Sequence, residues 1–196
     1  MPLLGTAAIS GPILLDTNVF IASLGGRGPA ALAVLLSNLP QSFVSGATLA
    51  ELSWTRGRLD PRHRDTAKVL EKYNGALSRI DTNKVLVPNA DEWLRAGELA
   101  GMAARAVAGG GRSIRTAFDR MELINDATTA VVAARSRLTV VTSDRHFDLF
   151  MQLEPALRVV FYGSLQSGRG ECTSGLIGNE HFCHCGLGTA LAASLP

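Results

Sequence analysis

The chain has 196 residues, of which 46% are hydrophobic and 18% are charged. This balance excludes a wholly disordered chain, and at about 150 residues per domain the length favours one domain with an appendage. The net charge of +2 arises from 19 basic and 17 acidic residues, and it is too small to identify a nucleic-acid-binding protein by itself.

The patterns predict short strands that alternate with helices along the whole chain. The first part predicts a strand (PILL, 12–15), a helix over 19–24 capped by Asn18, a helix over 30–39, a strand (SFVS, 42–45) and a helix over 48–55. The second part predicts a helix from Asp60-Pro61 to Leu77, a strand over 85–87, helices over 91–107, 114–124 and 126–135, and strands over 139–142 and 158–162. This alternation predicts an α/β domain with a parallel sheet, and such sheets bind ligands beyond the carboxyl ends of their strands.

Four acids are candidates for a binding site at the carboxyl ends of the predicted strands. Asp16 directly follows the PILL strand and Asp144 closely follows the TVVT strand. Glu51 lies on the helix after the second strand, and Asp126 is predicted to begin the helix that leads into TVVT. If these carboxylates converge, they repel one another unless a cation neutralises them. Oxygen-only ligands favour hard divalent ions such as Mg²⁺ or Mn²⁺.

Each of these acids also has a purely structural interpretation. Asp16 and Asp144 suit turns, and Asp126 suits a helix N-cap or first turn. Glu51 fits a capping box with Thr48, in the pattern Thr-x-x-Glu. Taken one at a time, these interpretations are as good as a functional one. The joint placement of all four near strand ends favours a shared site.

Three segments resemble the PIN-domain nucleases, and most closely the VapC-type toxins of bacterial toxin–antitoxin pairs. They are ILLDTN (13–18), TLAEL (48–52) and INDATTAVVAARSRLTVVTSDRHF (124–147), in that order. The resemblance implies a three-layer α/β/α sandwich with a central, mainly parallel sheet over residues 1–162. It also implies that the metal-site acids, which are also the catalytic residues, are Asp16, Glu51, Asp126 and Asp144, with Asp148 as an auxiliary acid.

The same resemblance implies an Mg²⁺- or Mn²⁺-dependent endoribonuclease that hydrolyses RNA phosphodiester bonds. Such a protein would be the toxin of a type II pair, a homodimer blocked by a small antitoxin. A non-catalytic PIN-like scaffold that binds RNA or protein remains the alternative. A phosphoacceptor signalling domain is less favoured because it needs a second acid beside Asp16 and a late lysine. A phosphatase of the Asp-x-Asp type would need an acid where this chain has Asn18.

The basic residues form two groups. The first is interpreted as a solvated helix face and comprises Arg56, Arg58, Arg62, Arg64, Lys68 and Lys72. The second surrounds three consecutive glycines, and we expect Arg112, Arg115 and Arg120 in this group to contact the RNA backbone. Trp54, Trp93 and Leu52 are expected in the core or in an interface with a partner.

The last segment, 163–196, predicts a flexible tail rich in glycine and serine. It contains all three cysteines, Cys172, Cys183 and Cys185, and an odd number does not suggest a disulfide framework. A zinc site in EHFCHC is less favoured because Cys-x-Cys is not the usual ligand spacing. The absence of basic residues before the first apolar stretch does not fit a signal peptide, and no stretch suits a membrane span. We therefore expect a soluble, cytoplasmic protein.

Overall fold

The computed structural model describes residues 11–24, 32, 42–109 and 116–162, all within Met1–Gly163, the first of two units into which the chain divides. The first elements in these residues are β1 (Ile13–Leu15), α1 (Thr17–Leu24), β2 (Ser42–Ser45), α2 (Gly46–Gly57) and α3 (Thr66–Leu77). There follow a short 3₁₀ turn (Thr82–Lys84), β3 (Val85–Leu86), α4 (Ala90–Gly109), α5 (Ala117–Arg135), β4 (Thr139–Thr142), α6 (His146–Leu153) and β5 (Arg158–Phe161).

The five described strands form one parallel sheet in the order β3-β2-β1-β4-β5. The register sets Leu14 of β1 between Phe43 of β2 and Val140 of β4. The strands β1 and β4 are buried throughout, as expected for the apolar central strands of a parallel sheet. The predicted α/β fold with a parallel sheet is therefore confirmed.

Alternate residues of the central strands pack against different helices, which makes three layers. Leu14 and Val140 pack on one side with the apolar residues of α4, α5 and α6. Ile13, Leu15 and Val141 pack on the other side with α1, α2 and α3. Because both faces are covered by helices, the carboxyl edge of the sheet is where polar groups from several elements can meet.

Two predicted helix boundaries are wrong. The helices predicted over 114–124 and 126–135 are one helix, α5, which begins with a capping box between Thr116 and Asp119. The helix predicted from Asp60-Pro61 begins instead at Thr66. The Asp60 carboxylate accepts a hydrogen bond from the backbone of Arg62 in a turn, so it does not cap a helix.

Some predicted features lie outside the described residues. They include the tail over 163–196 with its cysteines and, apart from the buried Leu32, the helix predicted over 30–39. The division of the chain at residue 162 stays a prediction. None of the described helices is both long and apolar enough to cross a membrane.

Candidate functional site

Asp16 directly follows β1 and is buried, with only 6% of the residue exposed to solvent. Its Oδ1 accepts a hydrogen bond of 2.7 Å from the backbone of Thr17, and its Oδ2 accepts one of 2.6 Å from the hydroxyl of Thr142. The first contact matches the predicted turn, but a turn alone does not explain why a carboxylate is buried. The second contact joins the ends of β1 and β4.

The Thr142 hydroxyl is the centre of a hydrogen-bond network at this edge. It accepts bonds of 2.9 Å from Asn18 Nδ2 and 2.8 Å from the backbone of Asp144, while donating to Asp16. Asn18 Oδ1 in turn accepts a bond of 3.0 Å from the Tyr162 hydroxyl. The predicted helix-capping role of Asn18 is therefore wrong, since its side chain connects β4 with the end of β5.

Glu51 does not form the capping box that its sequence allows. The N-cap of α2 is Ser45, whose hydroxyl accepts a hydrogen bond of 3.1 Å from the backbone of Thr48. Glu51 Oε1 instead accepts a bond of 2.6 Å from Asn125 Nδ2, and its Oε2 accepts one from the Thr17 hydroxyl. The Glu51 carboxylate thus connects α2 with α1 and α5 beside Asp16.

Asp126 lies in the middle of α5, so its interpretation as a cap or first-turn acid is also wrong. Its Oδ2 is 3.0 Å from Nδ1 of His146, the first residue of α6. The same Nδ1 is 3.4 Å from Asp144 Oδ1, which also accepts a hydrogen bond of 2.8 Å from the His146 backbone. The turn predicted at Asp144 is present, and the carboxylate that makes it also faces the imidazole.

His146 is the residue of this site that sequence reasoning missed. The only signal for it is its place two residues after a strand-end acid, in TSDRHF. A histidine there is an ordinary turn or helix residue until the fold shows that Asp126, twenty positions earlier, lies against its ring.

The acids act on one another electrostatically. Burial raises the pKa of Asp16 to about 7, with the charges of Asp144 and Glu51 adding to the shift and the bond from Thr142 opposing it. Burial likewise raises the pKa of Asp126 well above its ordinary value, and the charges of Asp144 and Asp16 add to it. The structure therefore brings all four predicted acids to one edge of the sheet.

His146 offsets part of this negative charge. Its hydrogen bond with Asp126, together with the charge of Asp144, raises the pKa of its imidazole to about 9 despite partial burial. Asp126, Asp144 and His146 can each direct a ligand atom to a common point, since these atoms lie within 4.8 Å of one another. Such a half-buried set of two carboxylates and an imidazole suits a divalent cation.

Asp148 and the arginines predicted to bind RNA are placed differently. Asp148 Oδ2 is 3.4 Å from Arg145 Nη1, and no donor among the described residues hydrogen-bonds its buried Oδ1. Burial raises the pKa of Asp148, and Arg145 opposes this. Arg120 is exposed on α5, whereas Arg112 and Arg115 lie outside the described residues.

The two tryptophans are half exposed rather than buried. Trp54 on α2 is 50% exposed and has the Arg58 guanidinium 4.6 Å from its ring centre, and Trp93 on α4 is 48% exposed. Leu52 is buried in the core as predicted. A core position for the tryptophans is therefore wrong, and their role in an interface stays a prediction.

Comparison with known proteins identifies the fold to which this site belongs. The PIN domain family model matches residues 13–150. The structure resembles VapBC2 from Rickettsia felis bound to a DNA fragment from their promoter, with 20% identity, a TM-score of 0.51, and coverage of 77% of this chain and 98% of that one. It also resembles FitAB bound to an IR36 DNA fragment, with 20% identity, a TM-score of 0.51, and coverage of 76% and 94%. No curated protein sequence matches the chain.

Proposed function

The chain belongs to the PIN domain family, and from this we propose that it is a metal-dependent endoribonuclease that hydrolyses RNA phosphodiester bonds. The observation that carries the proposal is the meeting of four carboxylates from β1, α2, α5 and the turn after β4. A fold that buries like charges together stabilises a cation between them.

The residues present fit Mg²⁺ or Mn²⁺. Asp16, Asp126 and Asp144 supply carboxylate oxygens, and two of these side chains have raised pKa values because they are desolvated next to other acids. Glu51 completes the acidic edge from α2. When bound, such an ion lowers the pKa of a water that attacks the phosphate and stabilises the charge that develops there.

The surrounding polar residues orient the carboxylates. Thr142 directs Asp16 through one hydrogen bond and fixes the Asp144 backbone through another. Thr17 and Asn125 hold the two oxygens of Glu51. Because each carboxylate has a partner other than the substrate, the acids are preorganised before RNA arrives, which limits the reorganisation that binding would cost.

We further propose that the protein is the toxin of a type II toxin–antitoxin pair and acts in the cytoplasm. The resemblance of the three segments to VapC-type toxins supports this, and the shared fold with VapBC2 and FitAB is consistent with it. RNA is the expected substrate, with Arg112, Arg115 and the exposed Arg120 near its backbone. A small antitoxin would cover the acidic edge, and a second copy of the chain would complete a homodimer.

Cleavage of a structured RNA pool by the purified protein tests the enzymatic proposal. We expect cleavage with Mg²⁺ or Mn²⁺, none with a chelator, and a loss of about 100-fold or more in Asp16→Asn. Asp91→Asn is the matched control, because Asp91 is an exposed acid in the first turn of α4. Chelator-resistant cleavage, or equal rates for Asp16→Asn and the wild type, would overturn the proposal. Absence of cleavage by any variant would favour the non-catalytic scaffold.

A further inference from the structure

We propose that Nδ1 of His146 is a direct ligand of the divalent ion, and that this nitrogen makes the site prefer Mn²⁺ over Mg²⁺. This inference rests on the metal site of the proposed function and specifies its ligands. It concerns a residue that lies outside the acidic set from which the metal site was inferred.

The spacing of the donor atoms supports the assignment. His146 Nδ1 lies 3.0 Å from Asp126 Oδ2 and 3.4 Å from Asp144 Oδ1. Ligand bonds of about 2.0–2.1 Å at right angles, as in an octahedral Mg²⁺ site, place neighbouring ligand atoms about 3 Å apart. Both distances from Nδ1 are therefore close to the spacing of adjacent ligands around one ion, and one ligand atom from each of the three residues lies within 4.8 Å of the others.

The imidazole is held in this place by the fold rather than by chance contact. His146 opens α6, and its backbone donates to Asp144 Oδ1 at 2.8 Å. Phe147 and Phe150 of α6 are both fully buried in the core cluster that includes Leu14 and Val140 of the sheet, and this packing holds α6 on the sheet. The His146 side chain is 24% exposed, so most of the ring lies within the site.

The imidazole nitrogen of His146 explains the preference for Mn²⁺ over Mg²⁺. Mg²⁺ takes oxygen ligands almost exclusively, whereas imidazole nitrogen is a good ligand for divalent transition metals. One nitrogen among carboxylates therefore stabilises bound Mn²⁺ more than bound Mg²⁺. The ion would displace the proton that Nδ1 shares with Asp126, because a ligand atom must have a free lone pair.

The alternative role for His146 is a hydrogen bond that orients the two carboxylates without touching the ion. His146→Asn separates the two roles because the asparagine amide nearly overlays Nδ1 and still donates a hydrogen bond. It has no imidazole nitrogen, and its oxygen is a hard ligand. His63→Asn is the matched control, since His63 also faces a carboxylate, Asp65, at 4.0 Å but is exposed.

Electron spin-echo modulation of Mn²⁺ bound to the protein, together with Mn²⁺ and Mg²⁺ titrations, tests the assignment. We expect modulation from a coordinated imidazole nitrogen in the wild type and in His63→Asn, and none in His146→Asn. The ratio of Mn²⁺ affinity to Mg²⁺ affinity should fall at least about tenfold in His146→Asn. Tenfold is the smaller end of the affinity loss that follows removal of a residue supporting a metal site.

Two results would overturn the inference alone: wild-type protein that binds Mn²⁺ without nitrogen modulation, or modulation that persists in His146→Asn. The first needs no variant, so it holds even if His146→Asn folds poorly. Failure of the wild type to bind Mn²⁺ would overturn the inference together with the proposed function. RNA cleavage by wild-type protein whose bound Mn²⁺ shows no nitrogen modulation would leave the function standing and remove only His146 from the ligands.

Discussion

At the scale of single residues, Asp16 and His146 make the stability of the metal-free protein depend on pH. Asp16 has a pKa of about 7 in the fold against 3.8 ordinarily, so ionisation favours the unfolded chain. The stability that protonated Asp16 gives the folded protein therefore decreases as pH rises from 3.8 to about 7. His146 has a pKa of about 9 against 6.5, so the stability that its charge contributes below pH 6.5 is lost as pH rises towards 9.

Both groups act in the same direction, and we expect the melting temperature in chelator to fall steadily between about pH 4 and 9. Asp16→Asn should flatten the lower part of this decline, and His146→Asn the upper part. Thermal melts of the three proteins across this pH range measure the effect. A melting temperature that rises with pH in the wild type would contradict the burial of Asp16 and the pairing of His146 with Asp126.

The Thr142 hydroxyl belongs to the same scale, because one oxygen serves Asp16, Asn18 and the Asp144 backbone. Thr142→Val keeps the shape of the side chain and removes all three hydrogen bonds. We expect Mn²⁺ affinity to fall about 10–100-fold, as when other supporting residues of metal sites are lost. Thr139→Val at the opposite end of β4 is the control, and calorimetric titration with Mn²⁺ is the measurement. Unchanged affinity in Thr142→Val would show that this network does not orient the site.

At the scale of elements, the strands and the edge of the site were predictable, and the helix boundaries were not. The apolar, β-branched runs predict β1, β2 and β4 because a buried parallel strand needs them, and parallel topology then brings Asp16 and Asp144 together. The predicted break near Asn125 fails because tertiary contacts outweigh local propensity there. Asn125 bonds Glu51 and Asp126 bonds His146, so two polar residues stabilise a continuous α5.

The same reason explains why the side-chain partners at the site could not be predicted. Glu51 and Asp126 have adequate local explanations in sequence, and only the packing of α2 against α5 shows that their side chains are used elsewhere. Thr142, Asn18 and His146 act through partners more than fifteen positions away. Local patterns carry no information on such pairs, since the register of the sheet decides them.

The junction of α2 with α5 depends on three buried hydroxyls. Ser45 caps α2 by accepting from the backbone of Thr48, and its hydroxyl is 3.0 Å from that of Thr48 and 2.9 Å from that of Thr129 on α5. Ser45→Ala removes the cap and the link, and we expect a loss of about 1–2 kcal/mol in unfolding free energy. Ser53→Ala, at an exposed position on the same helix, should change it by less than about 0.5 kcal/mol. Urea denaturation measures the unfolding free energy of both variants. Equal values would show that the Ser45 cap does not stabilise the fold.

At the scale of the whole molecule, we propose that α2, which carries the half-exposed Trp54, is a surface for a second copy of the chain or an antitoxin. We expect the protein to self-associate at micromolar concentration and Trp54→Ala to weaken this at least about tenfold, as for tryptophans central to interfaces. Trp93→Ala is the control, because Trp93 is equally exposed but lies on α4. Sedimentation velocity measures both variants. A monomeric wild type, or equal weakening by the two changes, would contradict an interface on α2.

We propose above that the acidic edge of the sheet binds a divalent cation. The most direct measurement is anomalous diffraction from crystals of the protein soaked in Mn²⁺. We expect an anomalous peak within bonding distance of carboxylate oxygens of Asp16, Asp126 and Asp144, and no such peak at this edge in Asp16→Asn. A wild-type map with no peak at this edge, or with Mn²⁺ bound only elsewhere on the chain, would contradict it.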